Sequence, residues 1–543
     1  MSASSKKKLR NELDAAKLTE RQLAEQKEAK KLKLYTTAFV AVLAAILVVA
    51  VAIGVSQVIS TSGIREKNTV AMTVGSNELS NADLNYFYID TVNNFYSQNG
   101  SYAALFGLDV TKPLNAQFTG EEDGETWADY FLNSAKSNAS AVYALCDAAA
   151  AAGHTLTEDE MASVDAAVNN MAMYGTIYGY SNAEGYLKAM YGNGATEESF
   201  RNYAEKTLLA DSFQAAYADS LTYEDADLRA AEAENFDKYS SYAYNYYYLA
   251  ASRFQEGGTT AEDGTTIYSD EEKAAAVAAA EEAAKTLTAA EITTAAELDA
   301  AIAALPINAE STTAASTRYD AQRYTSISEN IAAWLADDAR VEGDLTYIAN
   351  ASTDENGNED ILGYYVVRYE STDDNTFALK NVRHILVQFA GGTTDEATGV
   401  TTYSDEEKAA AKSAAEEILN EWKAGEATED SFAALATEKT QDPGSAENGG
   451  LYEDIYPGQM VAAFEDWCYD ADRKAGDTGL VETEYGYHVM YFSGNSEETY
   501  RDNMIRTDLT NAALTEWYNG IVSSAAVTDG DTQYLSLDLV LSR

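Results

Sequence analysis

The sequence predicts an α+β protein: a membrane-spanning helix, then a mostly helical region, then a duplicated unit of mixed structure. Three observations carry this reading. Tyr35–Ile59 contains no charged residue and is dense in Val, Ala, Leu and Ile. From Ala82 to about Tyr223 the pattern is helical and rich in Ala, Tyr, Leu and Met. Tyr268-Ser-Asp-Glu-Glu-Lys-Ala-Ala-Ala276 recurs letter for letter as Tyr403–Ala411.

Bulk composition narrows the partners. A chain of 543 residues suggests two to four domains, and a 46% hydrophobic content is that of a globular protein. The formal net charge of −51 disfavours nucleic acid, whose phosphates would be repelled. Such acidity reads as a solvated, self-repelling surface. Cys146 and Cys468 are far apart and encode no disulfide framework, so they are expected as separate buried thiols.

The start of the chain sets the compartment. The 25 residues of 35–59 exceed the roughly 20 that cross a bilayer. Residues 1–34 carry eight Lys and two Arg against four Glu and one Asp. A basic tail before an apolar span keeps the N-terminus in the cytoplasm and sends the rest outside. A cleaved signal peptide has a shorter apolar region, so an uncleaved single-pass anchor in the cell membrane is expected.

Residues 61–68 read as a polar tether. Val70–Val74 alternates as a strand does and meets a turn at Gly75-Ser-Asn77. Ser80 with Asp83 marks a helix start. This strand–turn–helix opening resembles the start of the chaperone domain in secretion foldases of the PrsA and SurA kind. The resemblance implies a helical chaperone-like domain over 65–235.

The nine-residue repeat belongs to longer copies. Each follows a Phe, a Gly-Gly pair and a Thr-rich loop: Phe254 with Gly257-Gly258, and Phe389 with Gly391-Gly392. Each also reads as a capping box, with Ser269 or Ser404 at the cap and Glu272 or Glu407 three residues on. Gly363-Tyr-Tyr-Val-Val367 parallels Gly486-Tyr-His-Val-Met490. Two copies are therefore expected, at 240–371 and 378–495.

The second copy carries the chemistry. It opens with Val382-Arg-His384-Ile-Leu-Val387 and closes with Tyr487-His488-Val-Met. Between these stand Gln-Asp442-Pro-Gly-Ser, Asn-Gly-Gly-Leu451 and Met460-Val-Ala-Ala-Phe464. The chain has three histidines, and two of them bracket this segment. If their strands are neighbours, the imidazoles can meet by hydrogen bonds in the sheet. In order and spacing the segment resembles a parvulin-type peptidyl-prolyl isomerase. That implies two parvulin-like domains, each a small antiparallel sheet flanked by helices. It also implies a catalytic set of His384, Asp442 and His488, with Leu451, Met460 and Phe464 lining a proline pocket. Asp442 would take a position that is Cys in some parvulins and Asp in others. Such an activity needs neither cofactor nor metal.

The first copy differs where that chemistry would sit. Tyr365 stands where the second copy has His488, nothing is seen to match His384, and no Asp-Pro-Gly-Ser occurs between Thr286 and Ser328. A catalytically silent copy is expected. The loop 391–407 of the second copy contains acidic residues and no Lys or Arg. Parvulins that require phosphoserine use a basic cluster there, so phosphate dependence is not expected.

Ser496–Ser524 reads as a helix with an apolar stripe from Tyr500 to Val522, and Thr532–Leu541 as an added edge strand. The foldase resemblance implies that 496–543 returns to complete the chaperone-like domain. The expected function is a membrane-anchored extracytoplasmic foldase that isomerises X-Pro bonds in unfolded secreted proteins. With four prolines in this chain, the substrate is expected to be another protein. The competing reading is a non-catalytic chaperone that uses both copies to hold clients. A metal hydrolase is disfavoured, since no His-Glu-x-x-His is present, and Asp354–Asp360 reads as an acidic hairpin turn. A homodimer is compatible with the sequence, which does not set the oligomeric state.

Overall fold

The computed structural model describes residues 6–7, 61–120, 124–260, 265–353, 359–395 and 400–541. The expected basic tail, apart from Lys6 and Lys7, and the expected span 35–59 lie outside the described residues. So does most of the acidic turn, 354–358. Among the described residues no helix is long and apolar enough to cross a membrane. The chain divides into one unit of residues 1–221 with 512–543, and another of residues 222–511.

In the first unit, strands β1 (Val70–Val74) and β2 (Asn77–Ser80) form a hairpin, followed by helix α1 (Asn81–Asn99). Ser80 caps α1 as expected: its hydroxyl accepts from Asp83 N, and the Asp83 carboxylate accepts from Ser80 N at 2.9 Å. Helices α2 (Trp127–Ala152), α3 (Glu158–Ile177), α4 (Ala183–Tyr191) and α5 (Glu197–Ser220) complete the helical part. Leu84, Phe87, Tyr88 and Val92 of α1 pack on Trp127, Phe131, Ala135 and Ala139 of α2. His154 follows α2 and meets Ser212 of α5 through its Nε2 at 2.9 Å.

The second unit begins with α6 (Asp225–Glu234) and holds both copies of the repeat. The first copy comprises β3 (Ser241–Ala250), α7 (Asp270–Ala289), α8 (Ala295–Ala303), β4 (Thr317–Arg323), α9 (Glu329–Leu335), β5 (Leu345–Thr353) and β6 (Glu359–Asp373). The second comprises β7 (Ala378–Gln388), α10 (Asp405–Ala424), α11 (Glu429–Lys439), β8 (Leu451–Ile455), α12 (Ala462–Cys468), β9 (Thr478–Glu482) and β10 (Gly486–Thr499). Their antiparallel sheets have matching strand orders, β4-β3-β6-β5 and β8-β7-β10-β9. The capping boxes recur too. Glu272 accepts from Ser269 N and also from Gly258 N at 2.9 Å; Glu407 accepts from Ser404 N and also from Gly392 N at 2.8 Å. Gly391 and Gly392 adopt φ of 91° and 85°, and a Cβ on Gly391 would collide with the Glu407 carboxylate. Arg340 lies 4.7 Å over Trp334, and Arg473 lies 3.9 Å over Trp467.

Register sharpens the comparison of the copies. On β3 and β6, Ala250 faces Gly363, Tyr248 faces Tyr365 and Tyr246 faces Val367. On β7 and β10, Gln388 faces Gly486, Leu386 faces His488 and His384 faces Met490. Tyr246 therefore holds the place of His384, a counterpart the sequence comparison did not show. Tyr365 holds the place of His488, as expected.

Two C-terminal expectations change. Ser496–Thr499 prolongs β10, and helix α13 (Tyr500–Ser524) starts only after it. Its apolar stripe is divided: Tyr500, Met504 and Ile505 pack with Leu228 and Leu379 of the second unit, while Trp517, Tyr518 and Ile521 pack with Leu145 and Ala210 of the first. The added strand is β11 (Val527–Asp529), paired with β1, and not Thr532–Leu541. Beyond β11 the chain is held by buried asparagines of α1. Asn81 Nδ2 donates to Asp531 O at 2.7 Å, and Asn85 Oδ1 accepts from Ser536 N at 2.9 Å. Side-chain amides thus satisfy backbone groups that a sheet edge would otherwise have to pair, and Leu535 enters the core.

Arg501, at the start of α13, is 1% exposed. It pairs with Glu232 of α6, donates to Asp374 O at 2.9 Å and Phe236 O at 2.6 Å, and lies 3.7 Å over the Phe236 ring. Removing one member of a buried pair leaves the other charge and the carbonyls uncompensated. Arg501→Ala is expected to destabilise the second unit by about 3–5 kcal/mol in urea unfolding, whereas a joint Arg501→Met and Glu232→Leu replacement costs less.

Candidate active site

The site is built on one face of the β7–β10 sheet. Alternation along β7 puts Val382, His384 and Leu386 on one face and Arg383, Ile385 and Val387 on the other. The second face packs on α10 and α11 through Ile385, Val489, Ala415 and Phe432. The first face packs on α12 through Val382, Met490, Phe492, Phe464 and Cys468. A sheet covered on both sides explains the nearly continuous apolar run of Val382–Val387, interrupted by Arg383 and His384.

His384 and His488 are diagonal neighbours on that first face, 2% and 5% exposed. Their Nδ1 atoms are 2.9 Å apart. His384 Nε2 lies 2.9 Å from Asp442 Oδ2 and 3.0 Å from Ser445 Oγ. His488 Nε2 lies 2.9 Å from Thr483 Oγ1. Counting donors gives a self-consistent chain. An ionised Asp442 can only accept, so His384 Nε2–H donates to it. Nδ1 of a neutral His384 then accepts from His488 Nδ1–H, and His488 Nε2 accepts from the Thr483 hydroxyl. A second proton on His384 would have to sit on Nδ1 and set two N–H groups against each other, and one on His488 would turn the Thr483 hydroxyl from donor to acceptor.

The surroundings favour this state. Burial first, and then the neighbouring His384, push the His488 imidazole down to about 4. Hydrogen bonds from His384, Ser445 and Tyr452 hold the Asp442 carboxyl well below the usual carboxylate range, against the opposing effect of burial. The turn that carries Asp442 is stitched to the end of β7, where β8 no longer covers it. Leu386 N donates to Thr440 Oγ1 at 3.1 Å, and Gln441 N donates to Leu386 O at 2.9 Å.

A cavity of about 410 Å³ opens beside these groups, bounded by His384, Asp442, His488, Leu386, Tyr452, Met460, Val461, Phe464 and Tyr485, among others. The Phe464 ring stands edge-on to both imidazoles, with centroids 5.4 and 5.3 Å away. The structure thus brings together His384, Asp442, His488, Met460 and Phe464. Leu451 is different. It stands opposite Arg383, on the α10–α11 face, and its neighbour Tyr452 turns into the cavity. Sequence reasoning missed Tyr452, Ser445 and Thr483. Strand alternation after the Gly449-Gly450 turn signals Tyr452, and the Asp-x-x-Ser spacing signals Ser445. Thr483 has no comparable signal, because only the β9–β10 pairing brings it to His488.

Residues 364–495 match the family model of the PPIC-type PPIASE domain. The foldase protein PrsA of Geobacillus sp. (strain WCH70) is 42% identical over 85 residues, covering 16% of this chain and 29% of that protein. Foldase protein PrsA 1 of Listeria monocytogenes serotype 4b (strain F2365) is 30% identical over 145 residues, covering 24% and 40%. The chain thus spans well under half the length of these relatives. A solved peptidylprolyl isomerase (PrsA) from Bacillus cereus is 28% identical and covers 27% of this chain and 49% of that one, with a TM-score of 0.17, too low to inform the comparison. The second copy, within the matched residues 364–495, carries a PPIC-type PPIase domain, the parvulin type that His384, Asp442 and His488 led us to expect; the match itself begins in β6 of the first copy.

Proposed function

We propose that this chain is a membrane-anchored extracytoplasmic foldase that isomerises X-Pro bonds in unfolded secreted proteins and chaperones their folding. The observation that carries the reading is the buried, hydrogen-bonded His384–His488 pair with Asp442 beside it at the edge of a cavity lined by Met460 and Phe464. Rotation about a peptide bond faces about 18–20 kcal/mol, and X-Pro bonds take tens to hundreds of seconds. No bond breaks, so the catalyst must bind the twisted amide better than the planar one. Met460 and Phe464 offer soft and flat surfaces to a pyrrolidine ring. Planar resonance places partial negative charge on the carbonyl oxygen. A fixed carboxylate beside that oxygen disfavours the planar form more than the twisted one. The histidines exchange no proton with substrate in this scheme; they hold Asp442 and line the floor.

The helical first unit, with residues 512–543, would serve as the chaperone part, and 35–59 as the anchor. The first repeat copy would bind or space clients without catalysis, since Tyr246 and Tyr365 replace both histidines there.

In a protease-coupled X-Pro assay, His384→Ala and His488→Ala are each expected to lower kcat/KM about 10- to 100-fold, toward the uncatalysed rate, because the first copy supplies no activity. If the wild-type chain is no faster than His384→Ala, the catalytic reading is wrong and the non-catalytic chaperone stands.

Acid is expected to weaken this domain in a defined window. The unfolded chain takes up the His488 proton near 6.5 and the fold only near 4. Stability is therefore full above about pH 6.5 and declines as pH falls toward 4, by an amount on the order of 3 kcal/mol. Asp442, held low, is lost in the same direction at still lower pH. Amide protection of β7 and β10 should fall between pH 7 and pH 4.5, and His488→Phe should flatten the dependence. Equal protection at both pH values would contradict a neutral His488.

A further inference from the structure

Tyr452 touches both halves of the site at once. Its hydroxyl donates to Asp442 Oδ2 at 2.9 Å, and its ring lies nearly parallel to the His384 imidazole, with centroids 5.2 Å apart at 26°. The same Oδ2 receives Ser445 Oγ at 2.6 Å and His384 Nε2 at 2.9 Å. Three donors on one oxygen saturate it and fix the carboxylate plane. Oδ1 keeps a longer 3.4 Å contact from Gly444 N. Burial and the neighbouring Asp442 push the phenol up to about 12, so it remains a donor across the neutral range.

The first copy separates the ring from the hydroxyl. Tyr319 faces Tyr244 on β3, as Tyr452 faces Val382 on β7, which gives the two tyrosines one register position. The Tyr319 ring stacks on Tyr246 at 5.7 Å and 3°, much as Tyr452 stacks on His384. Ring stacking at this position is therefore common to both copies. The bond from hydroxyl to carboxylate belongs to the second copy, which alone has the Asp442 turn.

We propose that Tyr452 is a positioning residue of the isomerase site, its hydroxyl holding the Asp442 carboxylate in one orientation while its ring fixes the plane of His384. This rests on the foldase reading. The groups facing Asp442 are His384 from β7, Tyr452 from β8, Ser445 from its own turn and, behind His384, His488 from β10.

The test compares the full chain with Tyr452→Phe, which keeps the ring, and Tyr452→Leu, which removes it. Two readouts are needed: kcat and KM on an X-Pro peptide across pH, and the imidazole NMR signals, which come from three histidines. Tyr452→Phe is expected to lower kcat about 10-fold with KM within about 2-fold, and to move the acid limb of the profile to higher pH. The signals of His384 and His488 should shift while those of His154 stay in place. Tyr452→Leu should also raise KM. Unchanged kcat, pH profile and imidazole signals in Tyr452→Phe would overturn the proposal. Shifted imidazoles without X-Pro turnover in any form, wild type included, would sink the isomerase reading and leave the positioning role intact.

Discussion

The second unit's chemistry depends on one hydrogen bond between two imidazoles that water hardly reaches. Nδ1 to Nδ1 at 2.9 Å admits a single proton between the rings, so one imidazole must donate and the other accept. That constraint runs outward. With His488 as the donor, its unprotonated Nε2 accepts from the Thr483 hydroxyl on one side, and the Asp442 carboxylate accepts from His384 on the other. The constraint also demands that β7 and β10 keep register, since a slip of one residue would turn an imidazole to the α10–α11 face. The long β7–β10 ladder and its apolar cover on both faces supply that rigidity.

The duplicated copies show what the fold requires and what it does not. Both keep the strand order, the Gly-Gly loop bound by a capping glutamate, and an arginine stacked on a tryptophan. These features bind sheet to helix and recur because packing needs them. At the three register positions of His384, His488 and Tyr452, the first copy has Tyr246, Tyr365 and Tyr319, whose rings fill space by stacking. The architecture is satisfied by aromatic rings there. Imidazoles and a carboxylate answer to something other than packing.

Much of this was legible in the chain because it is local. Capping boxes at Ser80, Ser269 and Ser404 involve residues three apart, and each formed. The histidine pair was legible because two strands with matching apolar patterns each carried one. Features set by pairing were harder. Leu451 and Tyr452 differ by one place in a short strand, and only the register with β7 decides which faces the cavity. Tyr246 looks like one tyrosine in a row of them until β6 is laid beside it. The extension of β10 through Thr499 was hidden because Ser496–Thr499 carries no strand signal of its own; its pairing with β7 holds it extended. The asparagines that hold residues 531–536 lie on a helix 450 positions earlier, beyond any local pattern.

That last separation has a consequence for how the molecule comes into being. Chains emerge from synthesis in order, and residues 222–511 are complete before β11 exists. The inserted unit can reach its final form while β1 still lacks its outer partner. The first unit cannot close until β11 has appeared. Bringing ends together across so long a loop costs only slowly growing entropy, about 0.6 kcal/mol per doubling of length, and a loop already folded into a compact body shortens the gap further. Connectivity thus lets residues 222–511 fold while β1 still waits for β11.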